Sequence, residues 1–469
     1  MSEVIVKGTD ADVLSGIHAG MSINTIDIYG TTPLITAILA KKPQLVAALL
    51  EAGADVSFCD ASGSSPLFWA VENNQFKAAQ LLLERKANPN DYTRTSQPVM
   101  AYALLRRAEP FIDLLVKHGG DTQFAQDFID AKLLGHRYEL DDSVDIYSPA
   151  DNQFIELDYE GFYLEFTLGF IQESLEKFFN GCRDSKFQPI RPQVNIAIEA
   201  LKRASALRNY RGRYVNRNFH QKEIDSLMGV EPLIIPVSYE GHAITFVKNG
   251  VYFTHCDRGA HSKVAGSVII YRMKRPENLD KTLLNNLMFE AQNSTFLHLK
   301  LFSTLGLEAV ESIPTESQIA GNCSWANVEA SIAAVMFMLL AKDFQASPDK
   351  LKAIREEVLW FYQAWIEWDK DRALDECIQA FQDANNKARQ ASRAAMLGRI
   401  LFQRCSSTST KDIQRAKKIL AVLMIPEIQY VLKSYIQAYL GEGKVKTDPG
   451  TNLKKLLKVC GIDYRDFLN

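Results

Sequence analysis

The sequence predicts a multidomain protein of α and α+β parts. A solenoid of helical repeats is expected over residues 1–135, an α+β domain over 140–342 and an all-α domain over 343–469. Three observations predict it. Short words recur at intervals of 33 and 32 residues in the first third, β-rich runs flank a hairpin turn in the middle, and polar helix formers fill the last third. A chain of 469 residues with 47% hydrophobic content has the length for about three such domains.

The repeat signal comes first. Thr32-Pro33-Leu34, Ser65-Pro66-Leu67 and Gln97-Pro98-Val99 each open an apolar helix pair. The pairs carry Leu45-Val46 to Leu49-Leu50, Ala78-Ala79 to Leu81-Leu82-Leu83, and Phe111-Ile112 to Leu114-Leu115. They end in turns of one type: Ala52-Gly53-Ala54-Asp55, Arg85-Lys86-Ala87-Asn88 and His118-Gly119-Gly120-Asp121. Proline at a helix start gives up no hydrogen bond, and glycine at a helix end supplies positive φ. Ile17-His18-Ala19-Gly20 through Asn24 has the form of the tail of a degenerate first repeat, so about four repeats are expected. Period and words identify ankyrin repeats. Such arrays bury a core only by stacking, and their hairpin tips and concave face bind protein. Tyr92, Thr93 and Arg94 fall at a predicted tip and are the candidate partner-binding residues. Trp69 takes the place of a buried leucine and is expected to be filler.

In the central part, residues 157–180 run from a short β-rich start into an amphipathic helix (Phe166, Phe170, Leu175, Phe178), and a second helix spans Pro192 to Leu207. Lys202, Arg203, Arg208, Arg211, Arg213 and Arg217 follow among Tyr210, Tyr214 and Phe219 without an acidic residue. That pattern suits a solvated face better than a nucleic-acid contact. Residues 233–257 hold two β-rich runs around Asn249-Gly250, the dipeptide of a two-residue type I′ hairpin. With that loop, Lys248 faces Val251 and His242 lies directly opposite Asp257. Facing Cβ atoms stand about 4.5–5.5 Å apart, within reach of an imidazole–carboxylate hydrogen bond. An aspartate so placed fixes the imidazole tautomer and stabilises its charged form. A third strand is expected near Ser267–Tyr271. Further on, Gly321 and Asn322 break regular structure before an apolar run from Ala326 to Ala341, a buried helix with Ser324 as its cap. Cys323 stands at the mouth of that helix, where the positive end of the macrodipole favours a thiolate, and Gln318 lies upstream.

The order His242, Asp257, Gln318, Cys323, with His and Asp on adjacent strands and Cys opening a helix, resembles cysteine proteases of the adenovirus-protease and ubiquitin-like-protease type. Bacterial effector proteases and acetyltransferases of the YopJ kind share the layout. Gln318-Ile319-Ala320-Gly321-Asn322-Cys323-Ser324-Trp325 is also similar to the papain nucleophile segment. The resemblance covers residues 140–340 and implies a papain/adenain-like, cysteine-protease-like α+β domain. In it Cys323 is the nucleophile, His242 the general base and Asp257 its orienter, while Gln318 donates to the oxyanion together with the Cys323 backbone N–H. Ala243 stands where ubiquitin-like proteases carry a tryptophan after the histidine, and Trp325 stands one residue later than the papain aromatic. No cofactor or metal is expected. A zinc set drawn from His242, His255, Cys256, Asp257 and His261 is opposed by strand alternation, which turns Cys256 away from His255 and Asp257.

After Ala341 helical patterns cover 350–370, 372–404, 410–440 and 450–468, with Trp360, Phe361, Trp365 and Trp368 as a core stripe. This all-α domain is expected to roof the cleft. No apolar run reaches the ~20 residues of a membrane span, and the start, Met-Ser-Glu-Val-Ile-Val-Lys, lacks a secretion signal. Seven cysteines without framework spacing suit a reducing compartment, and a net charge of −3 gives no overall pull toward nucleic acid. Ankyrin repeats joined to a cysteine-protease-like module resemble translocated effectors of intracellular bacteria. That resemblance implies export by a signal-peptide-independent route and action in the host cytoplasm or nucleus on a host protein held by the repeats. Two function classes follow. In one, Cys323 performs acyl transfer on the recruited protein as a peptidase, a deubiquitinase-like enzyme or an acyltransferase. In the other, the central domain is idle and the protein is a scaffold that works by binding alone.

Overall fold

The computed structural model describes residues 2–181, 185–211, 217–259, 266–319, 321–342, 344 and 347–468. Helix pairs Pro33–Leu39 with Pro43–Glu51, Pro66–Glu72 with Phe76–Glu84, and Val99–Leu105 with Glu109–Lys117 form the repeats. Ser2–Lys7 with Asp10–His18 precedes them as the degenerate pair. The Thr32 and Ser65 hydroxyls accept from the Ile35 and Phe68 N–H groups, capping helices that begin on proline. Asn24 and Asn90 stitch one repeat to the next. Asn24 donates to the Gly53 carbonyl and accepts from the Asp55 N–H, and Asn90 does the same with Gly119 and Asp121.

Beyond the array, β1 (Ser143–Ser148) and β2 (Gln153–Asp158) form a hairpin. An antiparallel sheet of five strands follows in sequential order: β3 (Leu233–Tyr239), β4 (His242–Asn249), β5 (Tyr252–Cys256), β6 (Val268–Met273) and β7 (Leu307–Ile313). Both faces of β4 are buried. Val247 joins the core beneath the Cys323–Ala341 helix, whereas Ile244 and Phe246 join a second core with Leu207, Ile224, Leu287 and Leu301. The Cys323–Ala341 helix is apolar all round because the sheet, two helices (Leu164–Gly181 and Arg191–Arg208) and the Pro348–Asp383 helix surround it. Its 19 residues are long and apolar enough to cross a membrane, yet 78% of the apolar window is buried inside the protein.

The expected boundary at residue 135 falls inside a continuous helix, Thr122–Tyr138. Arg137 pairs with Asp369 at 2.7 Å, and Arg389 and Arg393 both hold Asp127 of that helix. One buried core runs from Ile5 to Phe467, so the array, the central part and the C-terminal helices share a hydrophobic interior.

Several expectations are corrected by packing. The helix expected to break near 371 runs unbroken over Pro348–Asp383, because Arg372 pairs with Asp369 and Glu376 one turn to either side, each at 2.6 Å. The run 410–440 divides into Thr410–Leu423 and Tyr430–Leu440 around Pro426. Strand β7 was not expected: Glu308, Ala309 and Glu311 favour helix by propensity, but this sheet-edge strand keeps much of its length at the surface. The basic stretch is not a solvated face. Arg203 donates to the Pro232 carbonyl at 3.0 Å and Arg211 to Ser238 Oγ at 2.9 Å, Arg208 is buried, and Arg217 pairs with Glu290. Arg213 and Tyr214 lie outside the described residues.

Candidate active site

His242 is the first residue of β4, delivered there by a tight turn at Glu240 and Gly241, both with positive φ (45° and 79°). The following hairpin closes one residue later than expected. Asn249 pairs with Tyr252, so the loop is Gly250-Val251, and glycine takes the first central position with φ 59°. The Glu231 carboxylate holds it there by accepting from both the Lys248 ammonium and the Gly250 N–H. Moving the loop by one residue moves the register by two, so Asp257 lies across from Ile244 rather than His242. A shift of two keeps the face, since side chains alternate with period 2. His242 and Asp257 are therefore diagonal neighbours, and His242 Nε2 lies 3.1 Å from Asp257 Oδ1.

The Asp257 hydrogen bond, and after it an interaction with Cys323, push the His242 imidazole up to about 9. Burial works against the Asp257 charge, yet the His242 bond and the Gly259 N–H at 2.8 Å hold its carboxyl below the usual range. With Nε2 on the carboxylate, Nδ1 is the ring nitrogen left for the thiol. Cys323 opens the Cys323–Ala341 helix, whose first N–H groups have no intrahelical acceptor. Asn322, not Ser324, occupies the cap position, and Ser324 is buried within the first turn. The Gln318 N–H donates to the Arg258 carbonyl at 2.8 Å, which ties its segment to the chain just after Asp257, and its side-chain oxygen is buried without a hydrogen-bond partner among the described residues.

Two neighbours of the imidazole were not singled out in the sequence. Tyr239, the cross-strand partner of His242, sets its ring edge-on to the imidazole at 5.5 Å and 89°. Its hydroxyl lies 2.9 Å from His298 Nε2, and burial together with the Asp257 and Cys323 charges pushes it up to about 12. The turn signal at Glu240-Gly241 could have revealed it, because a two-residue loop makes 239 and 242 partners. Gly259 is the other. A Cβ there would come within 2.9 Å of Asp257 Oδ1 and 3.1 Å of the His242 ring. Gly259→Ala is expected to disturb the imidazole–carboxylate contact and slow alkylation of Cys323 below pH 7 by about tenfold, with thermal stability little changed. An unaltered alkylation profile would show that the contact tolerates the methyl group.

Beneath the site lies a buried charge cluster. Arg258 Nη2 reaches Glu139 Oε1 at 2.7 Å, Nη1 reaches Glu329 Oε2 at 3.3 Å, and Nε donates to the Glu316 carbonyl at 2.6 Å. Glu139 also accepts from the Ile319 N–H at 3.0 Å, and Glu329 from Trp325 Nε1 at 3.2 Å. Among the described residues no group of three or more His, Cys, Asp or Glu is placed to hold a metal. Cys256 is fully buried, its thiol raised far above the ordinary range by burial, and His261 lies outside the described residues.

The partner-binding residues divide. Arg94 is exposed, but Tyr92 is half-buried against Phe124 and Thr93 is buried. Their hairpin does not end free, which corrects the expectation for Tyr92 and Thr93. Ser96 Oγ donates to the Glu156 carbonyl of β2 at 2.5 Å, and the Tyr163 hydroxyl donates to Gln97. The first repeat's tip is open, with Ile28 93% and Tyr29 75% exposed. Trp69 is only partly buried, and its Nε1 donates to Asp60 at 2.8 Å.

An ankyrin-repeat family model matches residues 4–93 in three copies. The mouse B-cell lymphoma 3 protein homolog is 36% identical over 109 residues, 23% of this chain and 24% of that protein. A putative ankyrin repeat protein of Rickettsia bellii is 35% identical over 92 residues, 18% of this chain and 51% of that one. The chain thus spans between a quarter and a half of the length of these curated relatives. The structure of the Legionella effector AnkH is similar across nearly everything, with a TM-score of 0.81 and 38% identity over 98% of this chain and 97% of that chain. The chain belongs to the AnkH family. Membership extends the likeness through the five-stranded sheet and the Cys323–Ala341 helix, which the ankyrin match alone leaves out.

Proposed function

We propose that this AnkH-family chain is a translocated effector that holds a host protein on its ankyrin repeats and acts on it by thiol-dependent acyl transfer at Cys323. The observation that carries the reading is the His242 imidazole, bound through Nε2 to Asp257 at 3.1 Å and interacting also with Cys323. An imidazole held in its charged form to about pH 9 stabilises a thiolate beside it. That thiolate attacks a carbonyl carbon and forms a C–S bond, while the Cys323 N–H and the Gln318 side chain receive the oxyanion. His242 gives its proton to the departing amine as the C–N bond breaks. Water or a second amine then takes the acyl group, surrendering a proton to His242 and restoring the thiolate. A water acceptor makes a peptidase or deubiquitinase-like enzyme; an amine acceptor makes an acyltransferase.

The test is the pH dependence of Cys323 alkylation, followed at the Cys323 peptide, in the wild type and in His242→Ala. The wild type is expected to be alkylated measurably below pH 7 and to change rate again near pH 9, where the His242 imidazolium loses its proton. The variant is expected to lose both features. Identical profiles would remove the ion pair.

The exposed Ile28–Tyr29 tip favours a second reading, an interaction protein that needs no chemistry at Cys323. Tyr29→Ala with Arg94→Ala is expected to weaken partner capture by about tenfold or more, since aromatic and arginine side chains dominate interface energies. Cys323 alkylation should be unchanged. Cells in which the tip variant fails while Cys323→Ala works as the wild type does would leave the binding-only protein standing.

A further inference from the structure

The ladder between β4 and β5 ends at the pair Thr245 and Cys256. Carried on in the same register, it would next bring Ala243 opposite Arg258 in a hydrogen-bonded rung, the Arg258 N–H donating to the Ala243 carbonyl. That bond is not made. The side chain of Asn327 stands in its place: the Arg258 N–H donates to Asn327 Oδ1 at 2.7 Å, and Asn327 Nδ2 donates to the Ala243 carbonyl at 2.6 Å. The carboxamide accepts on one side and donates on the other, as a peptide group would, and so lengthens the rung by one amide. The Arg258 carbonyl, which the continued rung would have used as its second acceptor, takes the Gln318 N–H instead.

Ala243 follows His242 directly, and Arg258 follows Asp257 directly. Asn327 lies four residues after Cys323 on the same helix, hence on the same helical face. One wholly buried side chain therefore binds both strands of the His–Asp pair and the helix that presents the thiol. A residue needed only to fill the core here would be apolar, like Val328 and Ala330 beside it. A buried carboxamide is retained at the cost of desolvation, and here its oxygen and its nitrogen bond to the adjoining ends of the two strands.

Resting on the acyl-transfer reading of Cys323, we infer that Asn327 is a positioning residue: it sets the separation and angle between the Cys323 helix and the His242–Asp257 strands. Its interposed amide spreads the strand ends and pins the spread to the helix one turn below the sulfur. Without it the strand ends can close on each other, and the imidazole moves relative to the thiol. A misplacement of about 1 Å between reacting groups costs on the order of a hundredfold in rate.

The experiment compares full-length wild type, Asn327→Ala and Ser331→Ala by the pH profile of Cys323 alkylation, with thermal melts in parallel. Ser331 is equally buried on the same helix, but among the described residues its hydroxyl bonds only to the helix's own Val328 carbonyl at 2.6 Å, so it controls for a lost buried polar group. Asn327→Ala is expected to lose about a hundredfold of the alkylation rate below pH 7, while Ser331→Ala keeps the wild-type profile. If Asn327→Ala does not fold, Asn327→Asp is measured in the same way. It keeps the acceptor for Arg258 and loses the amide donor to Ala243, and an intermediate loss is expected. A folded Asn327 variant with the wild-type profile overturns the inference while leaving the acyl-transfer reading intact. A wild type without the low-pH limb overturns both. Equal losses in Asn327→Ala and Ser331→Ala would reduce Asn327 to a structural residue.

Discussion

Cys323→Ala is expected to fold as the wild type does and to lose labelling by a thiol-directed acyl probe completely. The residue is only partly buried at a helix start, and removing one sulfur there leaves the stacked interior of the Cys323–Ala341 helix untouched. The stability change should stay within about 1 kcal/mol. The chemical effect is of another order, because losing the nucleophile of a triad-type centre costs up to about a millionfold in turnover. The check combines probe labelling, a thermal melt and an NMR titration of His242. In the variant the imidazole keeps its Asp257 bond but loses its second support, so its pKa should fall from about 9 while remaining above the ordinary 6.5. A protein that fails to fold would make Cys323 a structural cysteine. Undiminished activity on the recruited partner would end the enzymatic reading.

Arg258→Leu is expected to give the largest loss of stability from any single substitution near the site, about 3–5 kcal/mol, because it strands buried carboxylates without their counter-ion. Glu329 bears most of it. Burial pushes its carboxyl up to about 7 even with Arg258 at 3.3 Å. Removing the guanidinium raises it further, above an unfolded value near 4.5. A carboxyl raised in the folded state loses stability as pH climbs from the unfolded value toward the folded one. The variant should therefore be less destabilised at pH 6 than at pH 8. Urea unfolding at both values tests this, and a midpoint unaffected by the substitution, or a penalty that shrinks with rising pH, would contradict it. Glu139 is held partly by the Ile319 N–H and should suffer less.

The contrast between what was legible in the sequence and what was not follows the range of the interactions. Repeat words, caps and the Asn249-Gly250 turn are local, and they located the array and the strands. The register came out two residues away because Glu231, distant in sequence, selects which residue of the loop takes positive φ. The pairing of His242 with Asp257 survived because an even slip preserves the sheet face. Asn327 could not be found in the sequence, since an asparagine in an apolar helix announces neither the two strands it spans nor the rung it replaces. Nor could the buried state of Arg203, Arg208 and Arg211, whose partners come from elsewhere in the chain. Tyr92 and Thr93 were legible as a tip but not as a covered one, because the hairpin that covers them lies some 60 residues on.

That covered tip has a mechanical consequence. With the third finger fastened to β2 through Ser96 and to Tyr163 at the start of the following helix, and Thr122–Tyr138 sunk in the shared interior, the array is packed onto the same core as the Cys323–Ala341 helix. A flexible tether would let a captured protein sweep a volume and offer many bonds to the thiol, at a local concentration governed by tether length. A rigid mount offers one distance and one bearing. On the acyl-transfer proposal the array would then work as a gauge as well as a grip: of the proteins that bind it, only those whose target group lies at the matching span from the bound face would reach the sulfur.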